Sequence, residues 1–246
     1  MILRSKIESV WQLKLMEKTF KEQISTLLAI FDEKQPIQKD GTFSPEAVKE
    51  TALLMADYII EEKESLAALK EWMEGHDFWT SPASTRFHGN VKGGLAAHSL
   101  MVAVQALRFA IPFAENFALS KRSKDFPFTA EDVFISGFAH DFCKSGTYAT
   151  ESKKTKDFNG NWKYEPFYKT KSDLRNLGHG NESVLLLLES MPHLLKRRNV
   201  IEAISRHMGF SDLAPMETYN YSNLLQNPLV LLIQLADQTA AQWWDL

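Results

Sequence analysis

The sequence predicts an all-α fold, on three observations. Apolar residues recur at three- and four-residue steps through most of the chain, helix-start signals precede several of those runs, and alternating strand-like runs are nearly absent. At 246 residues with 44% hydrophobic content, the chain suffices for one large domain or two small ones and fills a real core, which argues against disorder. Twenty-eight basic against 31 acidic residues leave a formal charge of -3, so no large basic surface for nucleic acid or anionic membrane is expected. The single cysteine, Cys143, excludes an intrachain disulfide framework and fits a reducing compartment, with the cytoplasm as the expectation. The N-terminal stretch scatters charges among its apolar positions, so neither a signal peptide nor a membrane span is expected.

Residues 5 to 32 carry Ile7, Val10, Leu13, Phe20, Ile24, Leu27 and Phe31 at helical spacing, and the run ends in the loop DEKQPIQKDG. Ser44-Pro45-Glu46 then reads as an N-cap with proline at the first helical position, opening a helix to about Glu74. The turn-rich WTSPASTRFHGNVKGG precedes an apolar helix over about 95–113. Further helices are expected at 130–142, 180–190, 198–208 and 227–243, and FNGNWKYEPFYK (158–169) is the one candidate for a short β-hairpin.

Five of these segments carry residues that invite chemistry. His98 lies on the stripe Leu95, His98, Val102, Ala106, pointing toward the core side of its helix, where an imidazole needs a partner. His140 and Asp141 are adjacent near the end of DVFISGFAHDFCKSG, and burying such a pair is costly unless something cationic joins it. Lys144 follows His140 by four residues, so on a continuing helix it shares that face and can reach a phosphate. Asp237 sits among Val230, Ile233 and Ala240, where a salt bridge or a metal would explain a carboxylate. His179 opens a helix and His207 falls on the face of Val200 and Ile204; each alone reads equally as a capping or core histidine. Collectively the six imidazoles and carboxylates suffice for two divalent ions.

His98, then HDFCK (140–144), then Asp237 resembles the H…HD…D pattern of the HD-domain phosphohydrolase superfamily. The resemblance covers roughly residues 76 to 243 and implies an all-helical metal-binding domain, 76–246; the helical pattern of residues 1–75, outside the resemblance, reads as an N-terminal extension packed on it. FWTSPASTRFHGNVKGGLAAHSL, ISRHMGF and LADQTAA are similar to the HD domain of bacterial 3′-to-5′ exoribonucleases and their relatives. That similarity implies that His179 and His207 join the metal site. The sequence departs from the pattern in three places: residues 1–75 lack the strand-rich signature of those enzymes' oligonucleotide-binding barrel, the Gly-Tyr-Pro motif of the cyclic-dinucleotide branch is missing, and Cys143 replaces the glycine usual before the motif lysine. Cys143 reads as a small packed residue.

The function implied is phosphate-ester hydrolysis, as phosphomonoesterase or phosphodiesterase, on a nucleotide or short oligonucleotide by metal-activated water. One or two divalent ions (Mn, Fe, Ni, Co, Zn or Mg) are expected, and where two bind, Asp141 bridges them, with His98, His140 and Asp237 on one and His179 and His207 on the other. Asp141 and Lys144 are the catalytic candidates, with Lys144 offsetting developing charge. His88, Arg86, Lys92 and Arg206 are candidate substrate contacts because they neighbour the ligands in sequence. The connection from Ser145 to Leu177 interleaves Lys153, Lys154, Lys156, Lys163, Lys169, Lys171 and Arg175 with Phe158, Trp162, Tyr164, Phe167 and Tyr168, which suits either a lid that stacks a base or a surface hairpin. Rival readings are a dNTP triphosphohydrolase, a dinuclear-iron oxygenase resembling inositol oxygenase, and a non-catalytic regulatory module. Trp243, Trp244 and the apolar face of 5–32 suit either a homodimer contact or a cap on the core.

Overall fold

Helix α1 (Ile2–Lys34) begins a computed structural model that describes residues 2–122, 128–172, 177–213 and 215–246, with the side chains of 2–17, Pro166 and Asp212 outside the description. Its described apolar residues Phe20, Ile24, Leu27 and Phe31 are buried, one per helical turn. Helix α2 (Pro45–Ile59) starts as its sequence requires, with Ser44 Oγ accepting the Ala47 N–H at 3.3 Å and Pro45 in the first turn.

The single helix expected over 45–74 is two. Ile60 turns extended, and Glu62 then caps α3 (Lys63–Gly75) by accepting the Ser65 N–H at 2.6 Å. The break lets consecutive Ile59 and Ile60 both be buried, while the Glu61 N–H donates across to Glu131 Oε1 at 3.2 Å in place of a helical carbonyl. Helical periodicity cannot announce such a break, because it needs a partner from elsewhere in the chain.

Helix α4 (Gly94–Ala118) is the axis of the fold, with α5 (Ala130–Ala139), α9 (Pro228–Trp244), α1 and α2 all packed against it. It is long and apolar enough to cross a membrane, but 83% of its apolar window is buried inside this bundle. Leu95, Leu100, Val102, Val104 and Leu107 are fully buried. At about 1.5–3 kcal/mol per buried side chain, they outweigh the roughly 1–3 kcal/mol that one strained buried polar group costs. A helix of this kind can therefore carry His98 into the core.

Two glycines set the helix spacings that matter for the site. A Cβ on Gly137 would stand 2.7 Å from the Ala103 Cα, so α5 lies directly against α4. A Cβ on Gly180 would stand 2.3 Å from the Ser205 carbonyl oxygen, so the first turn of α6 (His179–Ser190) touches the end of α7 (Arg198–Ser205). Arg197 clasps Glu131 at 2.6 Å and Asp132 at 3.1 Å, tying α7 to the start of α5.

Helix α5 ends at Ala139, short of the expected 142, and the chain tightens into a 3-10 turn over Phe142–Lys144. Lys144 therefore does not share a continuing helical face with His140. The hairpin is longer than expected and begins earlier: β1 (Tyr148–Lys156) pairs antiparallel with β2 (Trp162–Thr170), and 157–161 is the turn, held by Asp157 Oδ1 accepting from the Asn159 and Asn161 N–H groups. Strand β1 escapes a reading by alternation because both its faces are polar and most of it is exposed. Asp173 and Arg175 of this connection lie outside the described residues. Helix α8 (Thr218–Leu224), also unexpected, buries its own Tyr221, whose hydroxyl accepts from Gln234 of α9, and the residue before it, Glu217, accepts from Arg206 at the end of α7.

Candidate metal centre

Histidines from α4 and the end of α5 meet at the heart of the bundle. His98 and His140 are both fully buried, and their Nε2 atoms stand 3.0 Å apart. Each ring is already committed at its other nitrogen: His98 Nδ1 donates to the Leu246 main-chain oxygen at 2.9 Å and His140 Nδ1 to the Gly137 carbonyl at 2.8 Å. A carbonyl oxygen only accepts, so both Nδ1 atoms carry hydrogen and both Nε2 lone pairs point into the same space. Two such lone pairs repel unless a cation, a proton or a metal ion, lies between them.

Two carboxylates complete the group. Asp141 Oδ2 is 3.5 Å from His98 Nε2 and 3.4 Å from His140 Nε2, while Asp237 Oδ1 is 3.3 Å and 3.7 Å from the same atoms. Four donor atoms at these separations suit one ion bound at about 2.0–2.2 Å from each. The carbonyl bonds at Nδ1 are the outer supports that orient metal-ligating imidazoles.

Asp141 faces a second group with its other oxygen. Oδ1 lies 3.5 Å from His207 Nε2, and His207 Nδ1 donates to the Ile204 carbonyl at 2.8 Å, so this ring is oriented like the other two. Asp141 Oδ1 and His207 Nε2 are both buried without a hydrogen-bond partner, as is His179 Nδ1. His179 brings a ring nitrogen within 4.8 Å of an Asp141 oxygen. Buried polar atoms left unpaired in this way cost free energy that bound cations recover. The donor set, nitrogen and oxygen with both carboxylates ionised, fits divalent ions.

Electrostatics follow from the geometry. Burial pushes the His98 imidazolium down, but the Asp141 and Asp237 carboxylates more than offset it and raise it to about 9. Burial dominates at His140 and lowers it, so His98 holds the shared proton when no metal does. Asp141 is held well below the usual carboxylate range against its burial, chiefly by Lys144, whose Nζ is 2.5 Å from Oδ2. Asp237 is likewise lowered, by His98 above all. Lys144 is raised by Asp141 despite burial and stays charged.

The remaining candidates separate by position. His88 places its ring 5.0 Å from that of His98, tilted by 36°, and burial with the neighbouring His98 charge lowers it to about 4, so it is neutral at neutral pH. Arg86 and Lys92 lie on the same loop, exposed, and line a cleft of ≈ 1170 Å³ whose other wall is the hairpin, with Lys153, Phe167, Tyr168 and Lys169. Arg206 is not directed at the cluster: its guanidinium is held by Glu217 at 3.0 Å. Proximity in sequence failed here because Arg206 points to α8, which the sequence did not announce.

A sequence model of the HD domain matches residues 95–242, more than half of the chain. The chain belongs to the HD-domain family. This is a superfamily of metal-dependent phosphohydrolases, and the buried histidine–aspartate cluster of this HD domain is compatible with divalent metal. No curated protein and no solved structure matches the chain.

Two groups beside the cluster were not found by reading the sequence. The Leu246 oxygen that orients His98 is a main-chain atom with no side-chain signal. Cys143, read as packing, has its Sγ within 4.8 Å of donor atoms of Asp141 and His179. Its signal was the unusual HDFCK itself.

Proposed function

We propose that this HD domain hydrolyses a phosphate ester of a nucleotide or short oligonucleotide. The observation that carries the reading is the pair of Nε2 atoms 3.0 Å apart, flanked by Asp141 and Asp237. A divalent ion held there would lower the pKa of water toward about 7 and neutralise phosphate charge.

The chain's own groups do the rest. His98, His140, Asp141 and Asp237 would hold the first ion, and Asp141 Oδ1, His207 and His179 a second. Carbonyl bonds at three Nδ1 atoms keep the rings from turning, so the ligand atoms need no reorganisation during turnover. Lys144, charged and tethered to Asp141, holds a positive group beside the phosphate. His88, neutral and beside His98, offers a hydrogen bond to substrate.

The cleft supports a nucleotide-like substrate. Arg86, Lys92, Lys153 and Lys169 supply charge for phosphates, with Glu151 opposing them, and Phe87, 78% exposed, supplies a face for a base. The likeness of residues 78–100 to the exoribonuclease branch supports the oligonucleotide over other phosphate esters.

The test is phosphate or nucleotide release by metal-stripped protein from mononucleotides, dNTPs, cyclic dinucleotides and short RNA or DNA, with Mn, Mg, Ni, Co, Zn or Fe restored singly. Turnover on nucleotide substrates that returns with metal and is absent in Asp141→Ala supports the reading. Inorganic triphosphate as product would assign a triphosphohydrolase instead, and no hydrolysis with any bound metal would overturn it.

A further inference from the structure

The HD pattern accounts for the histidines and aspartates of the centre, but not for the sulfur beside them. We propose that Cys143 is a metal ligand of the second subsite, making it an Asp141–Cys143–His179 site selective for zinc-like, thiophilic divalent ions over magnesium. The inference rests on the metal-centre reading above and specifies its chemistry.

Three observations carry it. Ligand atoms of Asp141, Cys143 and His179 all lie within 4.8 Å of one another. Asp141 is 2% exposed, and its Oδ1 has no hydrogen-bond partner; neither has the buried Nδ1 of His179. The loop that carries the sulfur is fixed on both sides of the peptide unit, with the Cys143 N–H donating to Ser183 Oγ at 3.1 Å and its carbonyl accepting from Thr147 Oγ1 at 2.6 Å. Ser183 itself is fully buried on α6, one turn after His179, so the hydroxyl that positions Cys143 and the imidazole that shares its site belong to the same helix. Sulfur in that position is held toward Asp141 by the fold.

The ligand chemistry sets the class of ion. A thiolate added to imidazole and carboxylate suits zinc, cobalt and iron, whereas magnesium takes oxygen ligands and keeps its waters. On binding, the S–H bond is replaced by a sulfur–metal bond and one proton passes to solvent. Nothing is oxidised or reduced.

Cobalt(II) titrated into metal-free full-length protein tests this, read by absorbance and by ions bound per chain. Wild type is expected to bind two ions and to show an intense near-ultraviolet sulfur-to-cobalt charge-transfer band. Cys143→Ser should lose that band and weaken one of the two ions at least the roughly 10–100-fold that loss of a supporting outer group costs. It should keep the weaker visible bands of cobalt at the other subsite. Cys143→Gly, the smaller replacement, should behave in the same way. Wild-type protein that binds cobalt with visible bands but no charge-transfer band would overturn the cysteine ligand and leave the metal centre standing. Protein that binds no cobalt at all would overturn both.

Discussion

The buried centre and the exposed hairpin are built by opposite means. At the centre, three imidazoles from three segments are each locked by a main-chain carbonyl, and two ionised carboxylates are enclosed with them. In the hairpin, Lys163 pairs with Glu165, Lys169 with Glu151, and Lys154 and Lys156 lie over Trp162, all largely exposed. Exposed pairs of this sort contribute little and are screened by salt. The buried cluster is therefore held by rigid packing, whereas the hairpin presents a surface that tolerates change.

The largest effect expected is at the bridge. Asp141→Ala removes a donor to both subsites and leaves Lys144 buried without its partner, at a cost of about 3–5 kcal/mol. Metal content and hydrolysis should both vanish, with a lowered unfolding midpoint; retained metal at wild-type stoichiometry would separate Asp141 from the centre.

Proton–metal competition at His98 comes next. Its Nε2 must shed a proton to bind an ion, and that proton is held up to about 9. Apparent metal affinity should rise up to about tenfold per pH unit and level off above about 9, as read by titration at several pH values. The same shift bears on the metal-free fold. Because the folded value lies above the ordinary 6.5, His98 contributes stability that is complete below about 6.5 and is lost as pH climbs through about 9. Affinity independent of pH would contradict the shared-proton arrangement.

Gly180→Ala is expected to cost about 1–3 kcal/mol by forcing α6 away from the Ser205 carbonyl. It should weaken the His179 subsite more than the His98 subsite. Equal weakening of both would mean that α6 does not position one of them separately.

The exposed cleft should give the smallest effects. Lys153→Ala or Arg86→Ala should raise KM several-fold, more at low salt than at high, with kcat unchanged. A fall in kcat for either would move recognition into the chemical step. Glu165→Gln, at an exposed hairpin pair, should leave the thermal midpoint where it was.

What was legible in the sequence follows the same division. His98 and Asp237 could be read because each interrupts an apolar helical stripe, and His140 and Asp141 because an adjacent imidazole and carboxylate at the end of an apolar run are costly to bury without a partner. Helices α1, α4, α6, α7 and α9 were legible for the same reason, since one face of each is core. The break at Ile60 was not, because it depends on Glu131 seventy residues away. Strand β1 was not, because no face of it is apolar. Arg206 was misplaced because Glu217 on the unexpected side of α8 claims it. Lys144 reaches the centre through a 3-10 turn, where the sequence suggested a continuing helix.

The most direct measurement is anomalous diffraction at the cobalt edge from crystals of the protein loaded with that ion. The account predicts a peak among His98 Nε2, His140 Nε2, Asp141 Oδ2 and Asp237 Oδ1, at coordination distance from all four. A peak elsewhere, or full cobalt occupancy in crystals of the double variant His98→Ala/His140→Ala, would contradict it.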